Sequence, residues 1–367
     1  MASPVPSDVA AVQDAWWRRG RLVALPEGHR LFVVQEGAGP DLMLVHGFPS
    51  GSHDFAAALP FLCQRFRVTL FDQLGFGFSD KPTTASYSLL DQGRRAGELG
   101  RTLGIARATV VGHDMGLTVA VEMLCRHEAR ELGLAMDGLV LCNGSHLVEL
   151  ANITQLQKDL MTDEGAAAFV AAYDAERFAL GLRFVWGDAS RTPEVDLRAI
   201  AYWLGGVLPV IDRIARYNLE RARHADRWRT VLSRTTVPIG VVWGDRDPIA
   251  VLEIGRRLAE MTSGPLTVLE GVGHYPQMED PAAWAAAVVR PGGSLRVTPG
   301  QPQGKRAAGV ASDDPSWIWL PGPDSNQRPI GYTGSRRFRR GWTISSPWAG
   351  WPVGGGRSWG DYPSVTP

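Results

Sequence analysis

The residues from Gly112 to Gly116 combine a reactive side chain with a sharp turn. An apolar run ends in His113, Asp114 and Met115, and a helical pattern begins at the second glycine. Glycines at both ends permit a turn too tight for side chains, so the middle residue projects clear of the backbone. The helix N-terminus beneath it stabilises an anion. The pattern predicts a carboxylate nucleophile at Asp114; an aspartate that merely caps the helix is the structural alternative.

A second motif, upstream, could stabilise a negative charge that develops during a reaction. A strand-like run ends in the sequence LVHGFP, which holds His46 and Phe48. The turn after such a strand supplies one backbone donor of an oxyanion hole, and the residue after the nucleophile supplies the other. The predicted donors are the backbone N–H groups of Phe48 and Met115. We interpret His46 as a structural support of this turn.

An acid and a histidine follow the nucleophile in the chain order of a catalytic triad. The sequence GDRD ends a strand-like run and holds Asp245 and Asp247, and the sequence GVGHYP places His274 in a loop. The order nucleophile, acid, histidine fits this kind of triad. We assign the orienting acid to Asp247 and a local capping or ion-pairing role to Asp245. A triad acid after an earlier strand would fall near Asn143, which carries no charge.

The other histidines near these motifs are weaker candidates for the base. His113 lies inside the turn, where its neighbours prevent it from serving the nucleophile as well. Only His274 has the loop position that the base requires, so the sequence predicts an Asp114–Asp247–His274 triad.

These motifs lie at the ends of predicted strands that alternate with amphipathic helices. Residues 1–145 hold strand-like runs at 31–37, 41–47, 67–73, 108–114 and 138–144, with helical stretches at 53–64, 91–104 and 116–128. Continuous apolar strands separated by helices indicate a parallel sheet covered on both faces. We predict that 1–145 is the first part of such a core.

The alternation of strands and helices is interrupted by a helical segment and then resumes. Residues 146–235 show helical periodicity with few strand signals, which predicts a helical cap, or lid. Within 236–290, strands at 237–245 and 265–271 and helices at 250–261 and 281–290 complete the core.

The last part of the chain has a different composition. Residues 291–367 hold 25 Gly or Pro, six Trp, nine Lys or Arg and four acidic residues. No apolar period lasts long enough to form an element, so we predict a disordered tail. Our hypothesis is that the authentic domain ends near Arg290 and that the tail is read-through or frameshifted sequence; a basic, Trp-rich binding tail is the alternative.

Composition excludes several classes of protein. The formal net charge of zero over 367 residues gives no reason to expect nucleic acid or an anionic membrane as a partner. No apolar stretch approaches the roughly 18 residues of a spanning helix, and the N-terminus lacks the pattern of a secretory signal, so we expect a cytoplasmic protein. Cys63, Cys125 and Cys142 lie singly in apolar runs, which favours buried free thiols over disulfides or a metal site.

Together the motifs resemble those of the α/β-hydrolase superfamily, in the branch that holds epoxide hydrolases and haloalkane dehalogenases. The matching stretches are HGFPSGSHDF, FDQLGFGFSDKP, GHDMG, LVLCNG and GHYPQMEDP, within about residues 20–290. They look most like the hydrolases related to the mesoderm-specific transcript protein. The resemblance implies an α/β fold with a mostly parallel eight-stranded sheet, helices on both faces, a helical cap domain, and no cofactor or metal.

The resemblance also implies a two-step reaction. The carboxylate of Asp114 attacks an electrophilic carbon and leaves a covalent alkyl ester. His274, oriented by Asp247, then deprotonates a water molecule that hydrolyses the ester. The implied partners are a small hydrophobic electrophile and water.

The residues around the nucleophile favour an epoxide as this electrophile. Similar dehalogenases carry Trp after the nucleophile and a polar donor after the HG pair, whereas this chain has Met115 and Phe48. Epoxide hydrolases use lid tyrosines to protonate the ring oxygen, and the segment ARYNLER resembles one such lid segment, which makes Tyr217 the candidate acid. Tyr173 and Trp203 are candidate substrate-binding residues, with packing of lid helices as their structural alternative. A haloalkane dehalogenase-like enzyme and a non-catalytic ligand-binding member of the fold are the alternative functions.

Overall fold

The fold is built on one eight-stranded sheet in the order β1-β2-β4-β3-β5-β6-β7-β8. The structure is a computed structural model that describes residues 5–289. The predicted tail at 291–367 lies outside the described residues. The strands are β1 (Gly20–Ala24), β2 (Arg30–Gly37), β3 (Asp41–Val45), β4 (Arg67–Phe71), β5 (Arg107–His113), β6 (Ala135–Cys142), β7 (Ile239–Gly244) and β8 (Leu266–Leu269).

Six of these strands, β3 to β8, pair in parallel, and β1 and β2 join them as an antiparallel ribbon at one edge. Val45 of β3 pairs with Gly112 of β5, so the two strands end at the same level. At the other side of the sheet, Gly244 of β7 pairs with Leu269 of β8. The parallel register therefore places the turns after β3, β5, β7 and β8 along one edge, where the predicted functional residues lie.

Helices account for most of the remaining described chain. In chain order they are α1 (Ser7–Arg19), α2 (Leu59–Leu62), α3 (Leu89–Thr102), α4 (Met115–Glu128), α5 (Gln155–Asp159), α6 (Asp163–Ala172), α7 (Ala175–Leu182), α8 (Glu194–Val207), α9 (Ile211–Ile214), α10 (Tyr217–Arg223), α11 (Ala225–Arg234), α12 (Leu252–Thr262), α13 (Pro276–Glu279) and α14 (Pro281–Val289). Short 3₁₀ turns occur at Ser52–Phe55, Val148–Leu150, Arg183–Val185, Ala189–Arg191 and Leu208–Val210.

Helices cover both faces of the sheet, as predicted. In one group α4 packs on β5 and β6, α3 and α11 pack against α4, and α12 packs against α11. In the other group α2 and α13 pack against α14, which packs on β7 and β8. Because both faces are covered, β7 is buried at every position, which explains its continuous apolar sequence.

Every described element between β6 and β7 is helical. We call residues 148–234 the helical insertion. Their sequence specifies helix starts locally: Thr154, Thr162 and Asp174 each accept a backbone N–H at the start of α5, α6 and α7. The division into a separate cap domain with the boundaries 146–235 stays a prediction.

The helix predicted at 53–64 forms in pieces. The structure has a 3₁₀ turn at Ser52–Phe55 and a four-residue α2 at Leu59–Leu62. Pro60 lacks the N–H that a helix beginning at residue 53 would need at that position, and its ring clashes with the preceding turn. The apolar spacing therefore predicted burial correctly, but the prediction of one continuous helix was wrong.

A buried carboxylate fixes the helical insertion to the core. Glu122 of α4 is fully buried and accepts hydrogen bonds from Arg227 and from the Trp228 indole, both in α11 (3.0 Å for the indole). We expect Glu122→Ala to lower the free energy of unfolding by about 2 to 3 kcal/mol, because it leaves a buried donor unpaired. Urea denaturation checks this. The exposed partner of Arg229, Glu149, provides the control, and Glu149→Ala should cost about 0.5 kcal/mol or less.

Among the described residues, no helix is both long and apolar enough to cross a membrane.

Candidate active site

Asp114 lies on a strained turn between β5 and α4. Its backbone angles are φ 50° and ψ −115°, a conformation that residues other than glycine rarely adopt. A Cβ on Gly116 would lie 2.3 Å from the Val45 carbonyl oxygen, and one on Gly112 would lie 2.5 Å from the Gly116 carbonyl oxygen. Since neither glycine can carry a side chain, the turn stays tight and Asp114 is presented at the end of the sheet.

The turn after β3 holds one oxygen of this carboxylate. The Phe48 N–H donates a 2.9 Å hydrogen bond to Asp114 Oδ2. Gly47 allows the close approach, because a Cβ there would lie 2.7 Å from the same oxygen. Met115, the other predicted donor, is the first residue of α4, where backbone N–H groups lack partners within the helix. The oxyanion role of both residues stays a prediction.

His46 braces this turn from behind. Its Nε2 accepts the Gln73 N–H at 2.9 Å, and the Gln73 side chain donates to the His46 carbonyl at 2.7 Å. The ring is completely buried. Both contacts fix the backbone that carries Phe48, which is the supporting position that the sequence suggested.

His274 lies close to Asp114 on one side and to Asp247 on the other. His274 Nε2 lies 3.8 Å from Asp114 Oδ1, and His274 Nδ1 lies 2.7 Å from Asp247 Oδ2. Asp247 is held in turn by the N–H groups of Ile249 and Ala250, each 2.9 Å from Oδ1. These three residues are each at most 5% exposed. The acid and the histidine come from loops after β7 and β8.

Asp245 lies outside this group. It is exposed, and its carboxylate accepts the Gly271 N–H at 2.7 Å. That contact ties together the loops after β7 and β8, which agrees with the local role expected for this acid.

The electrostatics of the site favour a protonated imidazole before any reaction. Burial alone would lower the pKa of His274, but the carboxylates of Asp247 and Asp114 outweigh it and raise this pKa to about 9. The neighbouring His113 differs: burial and the His274 charge lower its pKa to about 4. His113 Nε2 lies 2.7 Å from the His274 carbonyl oxygen, so this neutral ring supports the loop of His274.

Asn143 is a site residue that the sequence reasoning did not identify as such. Its side-chain amide donates to Asp247 Oδ2 at 2.8 Å, and its oxygen accepts the Gly244 N–H at 3.0 Å. It thus fixes the carboxylate that faces His274. The available signal was its place directly after β6, which lies between β5 and β7.

Arg221 of α10 is a second residue that was missed. Its side chain is buried, and Nη2 donates to the Asp114 carbonyl at 2.9 Å and lies 4.0 Å from Asp114 Oδ1. Nε donates to Thr118 of α4 at 3.0 Å. A buried positive charge therefore links the helical insertion to the turn that carries Asp114. Because Arg221 follows Tyr217 by four residues, both lie on one helix face.

The structure brings Tyr217 to the site but gives Tyr173 and Trp203 other surroundings. The Tyr217 ring lies 5.6 Å from the Phe48 ring, and its hydroxyl accepts a hydrogen bond from Gln157 at 3.2 Å. The Tyr173 hydroxyl instead donates to the Ala201 carbonyl within the helical insertion. Trp203 packs on the rings of His53 (4.9 Å) and Phe78 (6.0 Å).

These contacts are of the packing kind named as the structural alternative for Tyr173 and Trp203. Their assignment to substrate binding stays a prediction that the geometry does not favour. No group of residues within 5–289 has the His, Cys, Asp or Glu arrangement of a metal site.

The fold and the sequence define the class of protein. Residues 40–281 match the alpha/beta hydrolase fold family, so the chain belongs to that family, which supports a hydrolase. The chain is 35% identical over 282 residues to LipZ of Mycobacterium tuberculosis, which is named as a putative hydrolase; the match covers 74% of this chain and 96% of LipZ. It is 32% identical over 302 residues to the mesoderm-specific transcript homolog protein of Homo sapiens, covering 77% and 88% of the two chains.

A solved structure shows the same fold. The epoxide hydrolase CorEH without ligand superposes with a TM-score of 0.61 at 19% identity, covering 74% of this chain and 96% of that one. Identity this low shows the fold alone. The predicted resemblance to the mesoderm-specific transcript group is confirmed by the human relative.

Proposed function

We propose that this chain is a hydrolase with a carboxylate nucleophile, and that it opens epoxides through an alkyl-enzyme ester on Asp114. The observation that carries the proposal is the surroundings of one carboxylate: Oδ2 accepts the Phe48 N–H at 2.9 Å, and Oδ1 lies 3.8 Å from His274 Nε2. A backbone N–H donor and an imidazole thus lie beside one carboxyl group, which supports the roles of oxyanion donor, base and nucleophile for these three groups.

In the first step a carboxylate oxygen of Asp114 attacks a ring carbon of the epoxide. The carbon–oxygen bond breaks, and its electron pair goes to the ring oxygen, which must receive a proton. Tyr217 is the predicted donor, and its ring lies beside Phe48. Burial, and then the charge of Asp114, raises the pKa of Tyr217, so the phenol keeps its proton at neutral pH until an alkoxide develops.

In the second step water attacks the ester carbonyl of Asp114. His274 takes one proton of this water, and the Phe48 N–H stabilises the oxyanion. When the intermediate collapses, the bond to the product oxygen breaks, and this oxygen takes the second proton of the water, which leaves Asp114 as a carboxylate. Ester formation removes the negative charge of Asp114, which had helped to raise the pKa of His274. The alkylation step therefore frees the imidazole to act as the base that the second step needs.

The link between the two groups can be measured directly. We expect Asp114→Asn, which mimics the uncharged ester, to lower the pKa of His274 below about 9 because one of its two stabilising carboxylates is gone. NMR titration of the imidazole checks this, with His113 as an internal reference that stays neutral above about pH 6. Because the pKa of His274 is higher in the folded state, its protonation stabilises the fold fully below about pH 6.5, and this stabilisation is lost as pH rises through about 9. The free energy of unfolding of Asp114→Asn should therefore fall less than that of the parent between these pH values. An unchanged His274 titration would contradict the link.

An epoxide is favoured over a haloalkane by the side chains that face the nucleophile. Met115 and Phe48 offer no side-chain donor to a departing halide, whereas the Tyr217 hydroxyl offers a proton to a departing oxygen. A purely ligand-binding role is disfavoured because it gives no reason to hold His274 3.8 Å from Asp114.

Trapping the ester tests the proposal. His274→Gln keeps the nucleophile but removes the base, so incubation with a panel of epoxides and primary bromoalkanes should add the mass of the opened epoxide to a peptide that contains Asp114. Asp114→Asn is the matched variant and should remain unmodified. A panel in which no epoxide modifies the His274→Gln protein refutes the proposed function, and modification by bromoalkanes alone would transfer it to dehalogenation.

A further inference from the structure

A second phenol, in the loop of the catalytic histidine, reaches the turn that holds the nucleophile. Tyr275 is 2% exposed and stacks on Trp186 of the helical insertion, with ring centroids 4.6 Å apart. Its hydroxyl lies 3.5 Å from the Phe48 carbonyl oxygen, and the N–H of that same residue donates to Asp114. Tyr275 and Tyr217 therefore both contact the residue that holds the nucleophile.

Behind this phenol lies a carboxyl group that the mechanism above does not use. Asp54 is 1% exposed; its Oδ2 lies 2.5 Å from Ser50 Oγ, and its Oδ1 is a buried oxygen without a hydrogen-bond partner among the described residues. A charged carboxylate with one bare oxygen in the interior is costly, which favours the neutral acid.

The charges that face Asp54 act in the same direction. Burial raises its pKa to about 8; the Ser50 hydrogen bond and His274 oppose this, and the carboxylates of Asp72 and Asp114 support it. Near neutral pH this buried acid carries a proton.

Ser50 connects the acid to the phenol. Its hydroxyl lies 2.5 Å from Asp54 Oδ2. Burial raises the pKa of Tyr275, and the Ser50 hydroxyl acts on the phenol in the opposite direction. When Asp54 carries its proton on Oδ2, the hydrogen bonds can run in one direction, from Asp54 to Ser50, from Ser50 to Tyr275, and from Tyr275 toward the Phe48 carbonyl. A leaving oxygen that replaces this last acceptor would receive the phenolic proton.

We propose that Tyr275, Ser50 and Asp54 form a proton relay that protonates the oxygen released when Asp114 opens the substrate ring. This inference rests on the proposed function and divides the role of the acid between two phenols: Tyr217 donates a hydrogen bond to the ring oxygen, and Tyr275 transfers the proton. It also gives the enzyme an acid that is separate from His274.

The relay balances over one turnover. Asp114 forms a bond to the ring carbon, and the electron pair of the broken carbon–oxygen bond takes the proton of Tyr275 Oη. The phenolate takes a proton from Ser50 Oγ, which takes one from Asp54. Once Asp114 is esterified, the imidazolium of His274 gives its proton to Asp54, directly or through solvent. The neutral imidazole then takes a proton from the water that hydrolyses the ester, which restores the charged His274 and the protonated Asp54 of the starting state.

Adduct formation from styrene oxide tests the relay without the second step. In the His274→Gln background, which stops the reaction at the ester, we expect Tyr275→Phe to slow adduct formation about 100-fold. Tyr202→Phe is the matched control: its hydroxyl bonds Glu176 in the helical insertion, and its rate should equal that of the parent. Mass spectrometry at timed intervals gives the rates.

The pH profile separates a proton donor from a packing residue. In the His274→Gln parent, adduct formation should fall as pH rises through the pKa of Asp54, which lies above about 8 in this variant because His274 no longer lowers it. Asp54→Asn keeps the shape of the side chain, and it should react about 10-fold more slowly than the parent at about pH 7, with a rate that does not change between about pH 7 and 9.

The outcomes distinguish the relay from the proposed function. Equal rates with and without the Tyr275 hydroxyl, or an unchanged pH profile in Asp54→Asn, would overturn the relay while the ester mechanism stands. No adduct in the His274→Gln parent itself would overturn both.

Discussion

Asp247→Asn is expected to reduce kcat about 10⁴-fold and to leave the alkyl ester on Asp114 as the accumulating species. Asp247 Oδ2 accepts hydrogen bonds from His274 Nδ1 at 2.7 Å and from the Asn143 amide at 2.8 Å. Asp247 Oδ1 accepts hydrogen bonds from two backbone N–H groups. An asparagine that keeps its oxygen toward the backbone donors must turn its NH₂ group toward the imidazole. The imidazole then carries its proton on Nε2, so it cannot accept one from water.

Rapid-quench mass spectrometry measures this effect as a split between the two steps. The alkylation rate should change little, because His274 takes no proton in that step, and ester hydrolysis should carry the loss. Asp245→Asn is the matched control, since this second acid of the same motif is exposed and bonds the Gly271 N–H; its kcat should stay within about twofold of the parent value. Equal losses in the two variants would show that Asp247 is not the orienting acid.

The proximity of Asp114, Asp247 and His274 could be anticipated because each of these residues is marked by a local signal. Glycines around Asp114 indicate the tight turn, and the apolar runs before Asp247 and His274 indicate strands. Once the strands are parallel, their carboxyl ends lie along one edge, so residues far apart in sequence meet without further information.

Contacts that depend on docking of the helical insertion could not be anticipated in the same way. Periodicity shows which face of α10 is apolar, but only the packed structure shows that Arg221 reaches the Asp114 carbonyl, 107 residues away. The same limit applies to Tyr173, because the sequence pattern around it is as compatible with a substrate pocket as with packing between helices. Tyr275 gave no signal of its own in the sequence, and only the packed structure shows that its hydroxyl extends to Phe48.

Edge elements also gave weak signals. Strand β1 was not predicted individually, and none of its five residues is fully buried. An edge strand with one partner, β2, is under little pressure to alternate apolar and polar residues, so its sequence resembles that of a loop.

The second large effect is expected from Gly116→Ala, which should lower the free energy of unfolding by at least about 3 kcal/mol. The new Cβ would lie 2.3 Å from the Val45 carbonyl oxygen and 2.4 Å from that of His46. These are backbone atoms at the end of β3 and the start of its turn, so relief requires α4 and β3 to separate. Alanine normally gains up to about 1 kcal/mol over glycine within a helix, which is too little to offset that separation.

Gly206 in α8 gives the matched control, because a Cβ there would meet only the end of the Lys81 side chain, at 3.8 Å. Gly206→Ala should therefore leave stability unchanged or raise it by up to about 1 kcal/mol. Urea denaturation of both variants measures the difference. Equal tolerance of the two substitutions would show that the turn carrying Asp114 is not packed against the turn after β3. The Phe48 N–H would then have no fixed position from which to hold Asp114.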